Sequence, residues 1–202
     1  MIDASDPKAR DLLLAAALKL FTDKGYASTT VREIVAKAGV TKPVLYYYFQ
    51  NKEGIYLEIL RDPFRQFQAI LDNVPSENLS AATRLEILCE KSYDIVLRNI
   101  GVVKLMNSIY YGPSQGAPYF DFETYHGKFI QTIRQIVEDG VYSGEFNKLE
   151  PNDITLAIVG VFHIVMDITL CETPEITITS ESISRGLKTI FQGILNKGQQ
   201  GE

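Results

Sequence analysis

The sequence predicts an all-α fold: a three-helix, helix-turn-helix domain over residues 1–52, followed by a larger helical domain over residues 53–202. Three observations predict it. Apolar residues recur at spacings of three and four almost throughout, the period of one helix face. Gly, Pro, Ser and Asn fall at intervals that suit helices of roughly 8–20 residues. The one alternating stretch, Ile176-Thr177-Ile178-Thr179, reads like a strand but has no strand-like partner nearby.

The elements follow in order. Leu13, Ala16, Ala17, Leu20 and Phe21 stripe a first helix that starts at Asp6-Pro7 and stops at Gly25. Thr30 caps a short second helix, with Glu33 completing a capping box and Val31, Ile34 and Ala38 facing inward. After Gly39, Thr41 caps a third helix with Pro43 in its first turn and Leu45 and Phe49 as its inward pair. Asn51 caps a fourth, striped by Ile55, Ile59 and Leu60, which Pro63 is expected to kink or interrupt. Residues 75–80 form a loop, with Ser80 as the next cap. Leu85, Leu88, Ser92, Ile95 and Val96 stripe a fifth helix, and Gly101–Tyr111 makes a short sixth. Residues 112–118 are a loop by composition, Phe120–Val141 a seventh helix, Ile154–Leu170 an eighth that is apolar nearly all round, and Ile183–Leu195 the last. Residues 1–7 and 197–202 are expected to fray.

Composition narrows the function. The net charge of −5 argues against indiscriminate binding to nucleic acid. The charge is uneven, however: residues 1–55 carry eight Lys/Arg against six acids, about +2, which leaves about −7 for the rest. A mildly basic head on an acidic body fits local binding to a polyanion. Met1–Lys8 has no secretory pattern, and His163 and Asp167 break the longest apolar run, so neither export nor a membrane span is expected. Cys89 and Cys171 lack CxxC spacing and read as core thiols in a reducing cytoplasm, not as a disulfide or metal site. Two lone histidines, with no carboxylate seen at helical ligand spacing, give no metal site, and no cofactor is expected. No Gly-rich phosphate loop, GxSxG or HExxH occurs, so an all-α enzyme is the weaker alternative.

Residues 30–49 have the layout of two short helices joined by Ala38-Gly39-Val40-Thr41, a helix-turn-helix. Lys42, Tyr46 and Tyr47 fall outside the Leu45/Phe49 stripe. Three consecutive tyrosines cannot all be buried on one helix, so at least one ring faces outward. Lysine can bond base edges or phosphates, and tyrosine can donate to phosphates and pack on sugars or thymine methyls.

The run Phe21-Thr22-Asp23-Lys24-Gly25-Tyr26-Ala27-Ser28-Thr29-Thr30-Val31-Arg32-Glu33-Ile34, with Ala38-Gly39-Val40-Thr41-Lys42, Leu45-Tyr46-Tyr47-Tyr48-Phe49 and Asn51-Lys52-Glu53, resembles the N-terminal signature of the tetracycline-repressor (TetR) family. The resemblance covers roughly residues 8–60. It implies a transcriptional regulator, a repressor released from a palindromic operator in double-stranded DNA by a small-molecule effector. It also implies roles by position: Thr30 at a phosphate and Arg32 at a base, Thr41, Lys42, Pro43 and Tyr47 in the major groove, and Tyr46 and Lys52 on phosphates. Tyrosine at 48 stands where the family often has histidine, and Pro43 where glycine is commoner, so the operator sequence does not carry over.

The larger domain resembles the family in helical plan, with one local echo at Gly140-Val141-Tyr142-Ser143-Gly144-Glu145-Phe146, the turn before the family's dimerisation helices. Polar or aromatic residues on apolar segments are the candidates for an effector pocket: Tyr93, Met106, Tyr110, Tyr111, Phe122, His126, Phe129 and His163. They favour an apolar or aromatic molecule. Helices that are apolar on more than one face need partners on both sides, which makes a homodimer the expectation, with Ile158, Gly160, Val161, Val165, Leu187, Ile190, Phe191 and Ile194 at its interface. Gly160 is expected to allow close backbone approach. A ligand-independent DNA-binding or adaptor protein is the main alternative, and an activator remains open.

Overall fold

The computed structural model describes residues 7–75, 78–171 and 178–195. These form nine helices: α1 (Pro7–Lys24), α2 (Val31–Ala38), α3 (Lys42–Phe49), α4 (Lys52–Asp72), α5 (Ala81–Arg98), α6 (Ile100–Tyr110), α7 (Phe122–Ser143), α8 (Pro151–Cys171) and α9 (Ser180–Ile194). No strand occurs among the described residues, and Ile176 and Thr177 of the alternating stretch lie outside them. The described residues divide into two compact units. One lies within Met1–Arg65 and Asn99–Phe120, the other within Gln66–Arg98 and Asp121–Glu202.

In the first unit Leu13, Ala17 and Phe21 of α1, Ile34 of α2, Leu45 of α3 and Ile55, Tyr56 and Leu60 of α4 are all fully buried. Burial of each large side chain stabilises the fold by about 1.5–3 kcal/mol. Helix α6 also packs on α1, close enough that a Cβ on Gly101 would sit 3.2 Å from Leu18. Arg10 ties α1 to α4 through Glu58 at 2.6 Å. Pro63 does not interrupt α4, which runs unbroken from Lys52 to Asp72. One lost backbone donor is a local cost, and the buried side chains of Leu60, Phe64 and Leu71 on either side hold the helix together.

The second unit is built from α5, α7, α8 and α9. The Gly140–Phe146 segment organises it. A Cβ on Gly140 would lie 2.5 Å from the Phe146 ring and 2.8 Å from Ala81, so only glycine lets the three pack. Gly144 turns the chain with φ +79. Glu145 then accepts from the backbone N–H groups of Ala81 and Ala82 at 2.7 and 2.9 Å. It thereby caps α5 from outside, while Ser80 accepts from Thr83 N at 3.1 Å. Phe146 is fully buried, and Asn147 N–H donates to Ile194 O at 2.7 Å, closing the turn onto the end of α9.

Helix α8 is long and apolar enough, by length and composition, to cross a membrane. A core helix passes the same test, and α8 packs Ile154, Ile158, Phe162 and Val165 into its own unit. Ile158, Val165, Leu187, Phe191 and Ile194, expected at a subunit interface, are all buried within the chain itself. Val161 is also engaged internally: a Cβ on Gly186 of α9 would lie 2.7 Å from it. Ile190 is half-buried. Of the expected interface residues Gly160 is the exposed one, with open space where its Cβ would be. The apolar surface that α8 leaves uncovered is Leu156 (68% exposed), Gly160 and Ile164 (55%), a stripe at spacings of four.

Candidate nucleic-acid interface

Helix α2 starts at a complete capping box. Glu33 N–H donates to Thr30 Oγ1 at 3.3 Å, and Glu33 Oε2 accepts from Thr30 N at 2.9 Å and Thr30 Oγ1 at 2.8 Å. Lys24 donates to the other carboxylate oxygen at 2.5 Å. These hydrogen bonds, the one from Lys24 first, hold the Glu33 carboxyl down to about 2. Gly39 ends α2 with φ +69. Thr41 occupies the cap position of α3 in an extended conformation, but its side chain makes no capping bond.

Helix α3 buries Val44, Leu45 and Phe49 and turns Lys42, Pro43, Tyr46 and Tyr47 outward. Tyr47 is the more projecting ring, 72% exposed against 48% for Tyr46. Tyr48 is half-buried, edge-on to Tyr47 with ring centres 5.0 Å apart. On α2, Arg32 is exposed beside the Thr30 cap. Thr30, Arg32, Lys42, Pro43, Tyr46 and Tyr47 are thus all exposed on the two helices of the motif, and Thr41 is half-buried.

The α3–α4 junction is tight. Gln50 adopts φ +64, and Asn51 N–H donates back to Phe49 O at 2.7 Å, a γ-turn. Asn51 Oδ1 caps α4 by accepting from Gly54 N at 2.7 Å. Gly54 is obligatory there, since a Cβ would lie 2.0 Å from the Phe49 carbonyl oxygen.

Lys52 takes an inward position. Its Nζ donates to Tyr26 O at 2.8 Å and Thr29 O at 2.9 Å, and stands 4.0 Å from the centre of the Tyr26 ring. Burial lowers its ammonium below the ordinary lysine value. Two of its three donors are therefore engaged inside the head, fixing the turn that precedes α2. Tyr26 in turn packs in an aromatic group with Phe21 and Tyr56, ring centres 5.1–6.0 Å apart. Burial, with Tyr26 as the second cause, pushes the Tyr56 phenol up to about 12. No sequence pattern announces a lysine aimed at two loop carbonyls, so this role could not be read before the fold.

The residues expected to line an effector pocket are divided between the two units. Tyr93 and Phe129 are buried in the second unit, with the Tyr93 hydroxyl 2.5 Å from Thr169 Oγ1. Met106, Tyr110 and Tyr111 belong to the first unit, with Tyr110 and Tyr111 52% and 80% exposed. Phe122 is half-buried. His126 and His163 do meet, with Nε2 atoms 3.2 Å apart and ring planes inclined by 20°. The two histidines are therefore not isolated, and Asp167 does stand one turn from His163. Even so, no group of three or more potential metal ligands forms among the described residues. A cavity of about 170 Å³ in the second unit is lined by Ile70, Asn73, Val74, Ile87, Leu88 and Lys91, among others, and by none of the expected pocket residues. Ser92, on the inward stripe of α5 as its spacing predicts, has a fully buried hydroxyl with no hydrogen-bond partner; of the two cysteines expected in the core, Cys89 is buried and Cys171, at the end of α8, is exposed.

Residues 13–59 match the family model described as bacterial regulatory proteins, tetR family. The chain is 32% identical over 146 residues to the HTH-type transcriptional repressor KstR2 of Mycolicibacterium smegmatis, covering 68% of this chain and 67% of that protein. A TetR-like transcriptional regulator from Rhodococcus sp. RHA1 superimposes with a TM-score of 0.67 at 22% identity, over 96% of this chain and 97% of its own. PfmR, a TetR family transcriptional regulator from Thermus thermophilus, gives a TM-score of 0.64 at 22% identity, over 89% and 97%. At those identities the two structures speak for the fold alone.

Proposed function

Since this chain belongs to the TetR family of bacterial regulatory proteins, DNA-binding transcriptional regulators rather than enzymes, we propose that it is a cytoplasmic repressor released from a palindromic operator by a small-molecule effector. One observation carries the DNA-reading part: α3 stands on a buried Val44/Leu45/Phe49 base and offers Lys42, Pro43, Tyr46 and Tyr47 to solvent together. A charged donor and two large rings on one short helix suit base edges, thymine methyls and phosphates. One such helix makes few base contacts, so useful specificity calls for two copies about 34–36 Å apart on a palindrome. The uncovered Leu156/Gly160/Ile164 stripe of α8 supports a homodimer.

The effector reading draws on Ser92. A buried hydroxyl without a partner is rare in a settled core, and an apolar or aromatic molecule carrying one polar group would supply the missing partner. DNA binding without an effector is a second reading, favoured by the size of the observed cavity. Its roughly 170 Å³ is below the ~300–1,000 Å³ usual for small-molecule sites.

Capture of genomic fragments by the full-length protein, followed by affinity measurement across salt concentrations, tests the proposal. A palindromic fragment bound far more tightly than random DNA is the expected result. Equal affinity for all fragments would overturn it.

A further inference from the structure

The turn between α1 and α2 is held from two sides. Lys52 takes the Tyr26 and Thr29 carbonyls, as described. From the other side Gln115, in the loop after α6, accepts from the backbone N–H of Tyr26 through Oε1 at 3.1 Å. Its Nε2 donates to Ser108 O at 3.2 Å and to Ser108 Oγ at 2.7 Å. The orientation of this amide is fixed by chemistry: the carbonyl end must meet an N–H, and the NH₂ end must meet the Ser108 carbonyl. The fit is close. Gly25 takes φ +85, a conformation that favours glycine, and a Cβ there would lie 2.8 Å from Gln115 Oε1, so the amide would have to shift.

Inside this clamp three further hydrogen bonds close the turn on itself. Gly25 N–H donates to Phe21 O at 3.0 Å, and Thr29 N–H to Tyr26 O at 3.2 Å. Thr29 Oγ1 reaches Gly25 O at 2.9 Å. Thr30, the cap of α2, follows immediately. The position of α2, and of Arg32 on its first turn, is therefore set by a residue some ninety positions along the chain.

We propose that Gln115 is a positioning residue for DNA reading: it fixes the α1–α2 turn and makes the α6 segment part of the reading head. Gln115 touches no DNA in this role and acts through Tyr26. Residues Asn99–Phe120 belong to the compact unit of the head, yet at both ends they are covalently continuous with the second unit. The proposal rests on the DNA-binding reading above, and its test separates the two.

The test uses the full-length protein, its Gln115→Ala and Gln115→Glu variants, and an operator fragment captured by the unsubstituted protein. Operator affinity, salt dependence, thermal midpoint and amide hydrogen exchange at Tyr26 are measured. Gln115→Ala should weaken operator binding about tenfold, speed exchange at Tyr26 and lower the midpoint by only about 2–4 °C, with the salt slope unchanged. Gln115→Glu keeps an acceptor for Tyr26 and can accept from the Ser108 hydroxyl, but it sets an oxygen against the Ser108 carbonyl, so it should retain part of the protection of the Tyr26 amide and part of the affinity. Two results would overturn the proposal. One is unchanged exchange and affinity in Gln115→Ala. The other is a loss of affinity that follows a larger fall in thermal midpoint, with Gln115→Glu no better than alanine. If the unsubstituted protein captures no operator, the functional reading fails, and exchange at Tyr26 still decides whether Gln115 holds the turn.

Discussion

Lys52 donates to the carbonyl oxygen of Tyr26 at 2.8 Å while its ammonium stands 4.0 Å from the centre of the same residue's ring. One cation is thus held by both the backbone and the side chain of one tyrosine, and its third contact, to Thr29 O, ends one residue before the cap of α2. Hydrogen bonds from a charged donor and a cation over an aromatic face both contribute to stability here.

Lys52→Ala should therefore lower stability by about 2 kcal/mol and weaken operator binding as the turn loosens. A phosphate contact predicts something different: a salt slope reduced by about one unit with stability intact. Urea unfolding together with operator titrations across salt separates the two, and an unchanged slope with a lowered unfolding midpoint is the expected pair of results.

The exposed stripe on α8 makes a sharp prediction about assembly. Since no described residue outside its own stretch of α8 lies within 4 Å of where a Gly160 Cβ would be, Gly160→Leu points a larger side chain into open space and reports chiefly on a second copy. Ile164→Glu places a charge on the same stripe. Both should shift sedimentation towards monomer and weaken operator binding while circular dichroism stays unchanged. Sedimentation of the unsubstituted protein as a monomer at micromolar concentration, with full operator affinity, would sink the dimer.

Ser92→Ala should stabilise the effector-free protein by about 1 kcal/mol, because a buried hydroxyl without a partner costs more than it contributes. Chemical denaturation measures this directly. A destabilised variant would mean that the hydroxyl has a partner in solution.

The His126–His163 pair carries a pH dependence. Burial first, and the adjacent His126 second, hold the His163 imidazole below its ordinary value, with Asp167 pulling the other way. The unfolded chain takes up its proton near pH ~6.5, whereas the folded chain resists it until lower pH. Above that range the group is neutral in both states and contributes nothing. As pH falls through it, the unfolded state binds more protons and stability is lost. His163→Gln should therefore lose less stability than the unsubstituted protein between about pH 7.5 and about pH 5.5, as read from thermal midpoints. Parallel curves would contradict this.

Much of the head was legible because its determinants are local. The Thr30/Glu33 box, the Gly25 and Gly39 stops, the Asn51 cap and the Leu45/Phe49 pair each lie within four residues of what they specify. Pro63 does not interrupt α4, because packing on either side outweighs one missing donor. The eighth helix was read correctly as apolar on several faces, but periodicity alone does not say which face the chain itself covers. Ile158 and Val165 turned inward, leaving Leu156, Gly160 and Ile164 outside. Lys52 and Gln115 were beyond reach for another reason: each acts on backbone atoms far along the chain, and a backbone carbonyl or N–H leaves no mark in a sequence.

The joining of Asn99–Phe120 to the head also bears on how such a protein can be re-engineered. A reading specificity moved into another regulator as one N-terminal piece would arrive without Gln115 and Ser108, its α1–α2 turn braced from one side. A working graft has to be cut from the gene in two separate stretches, so recombination at a single crossover would tend to separate parts that function together.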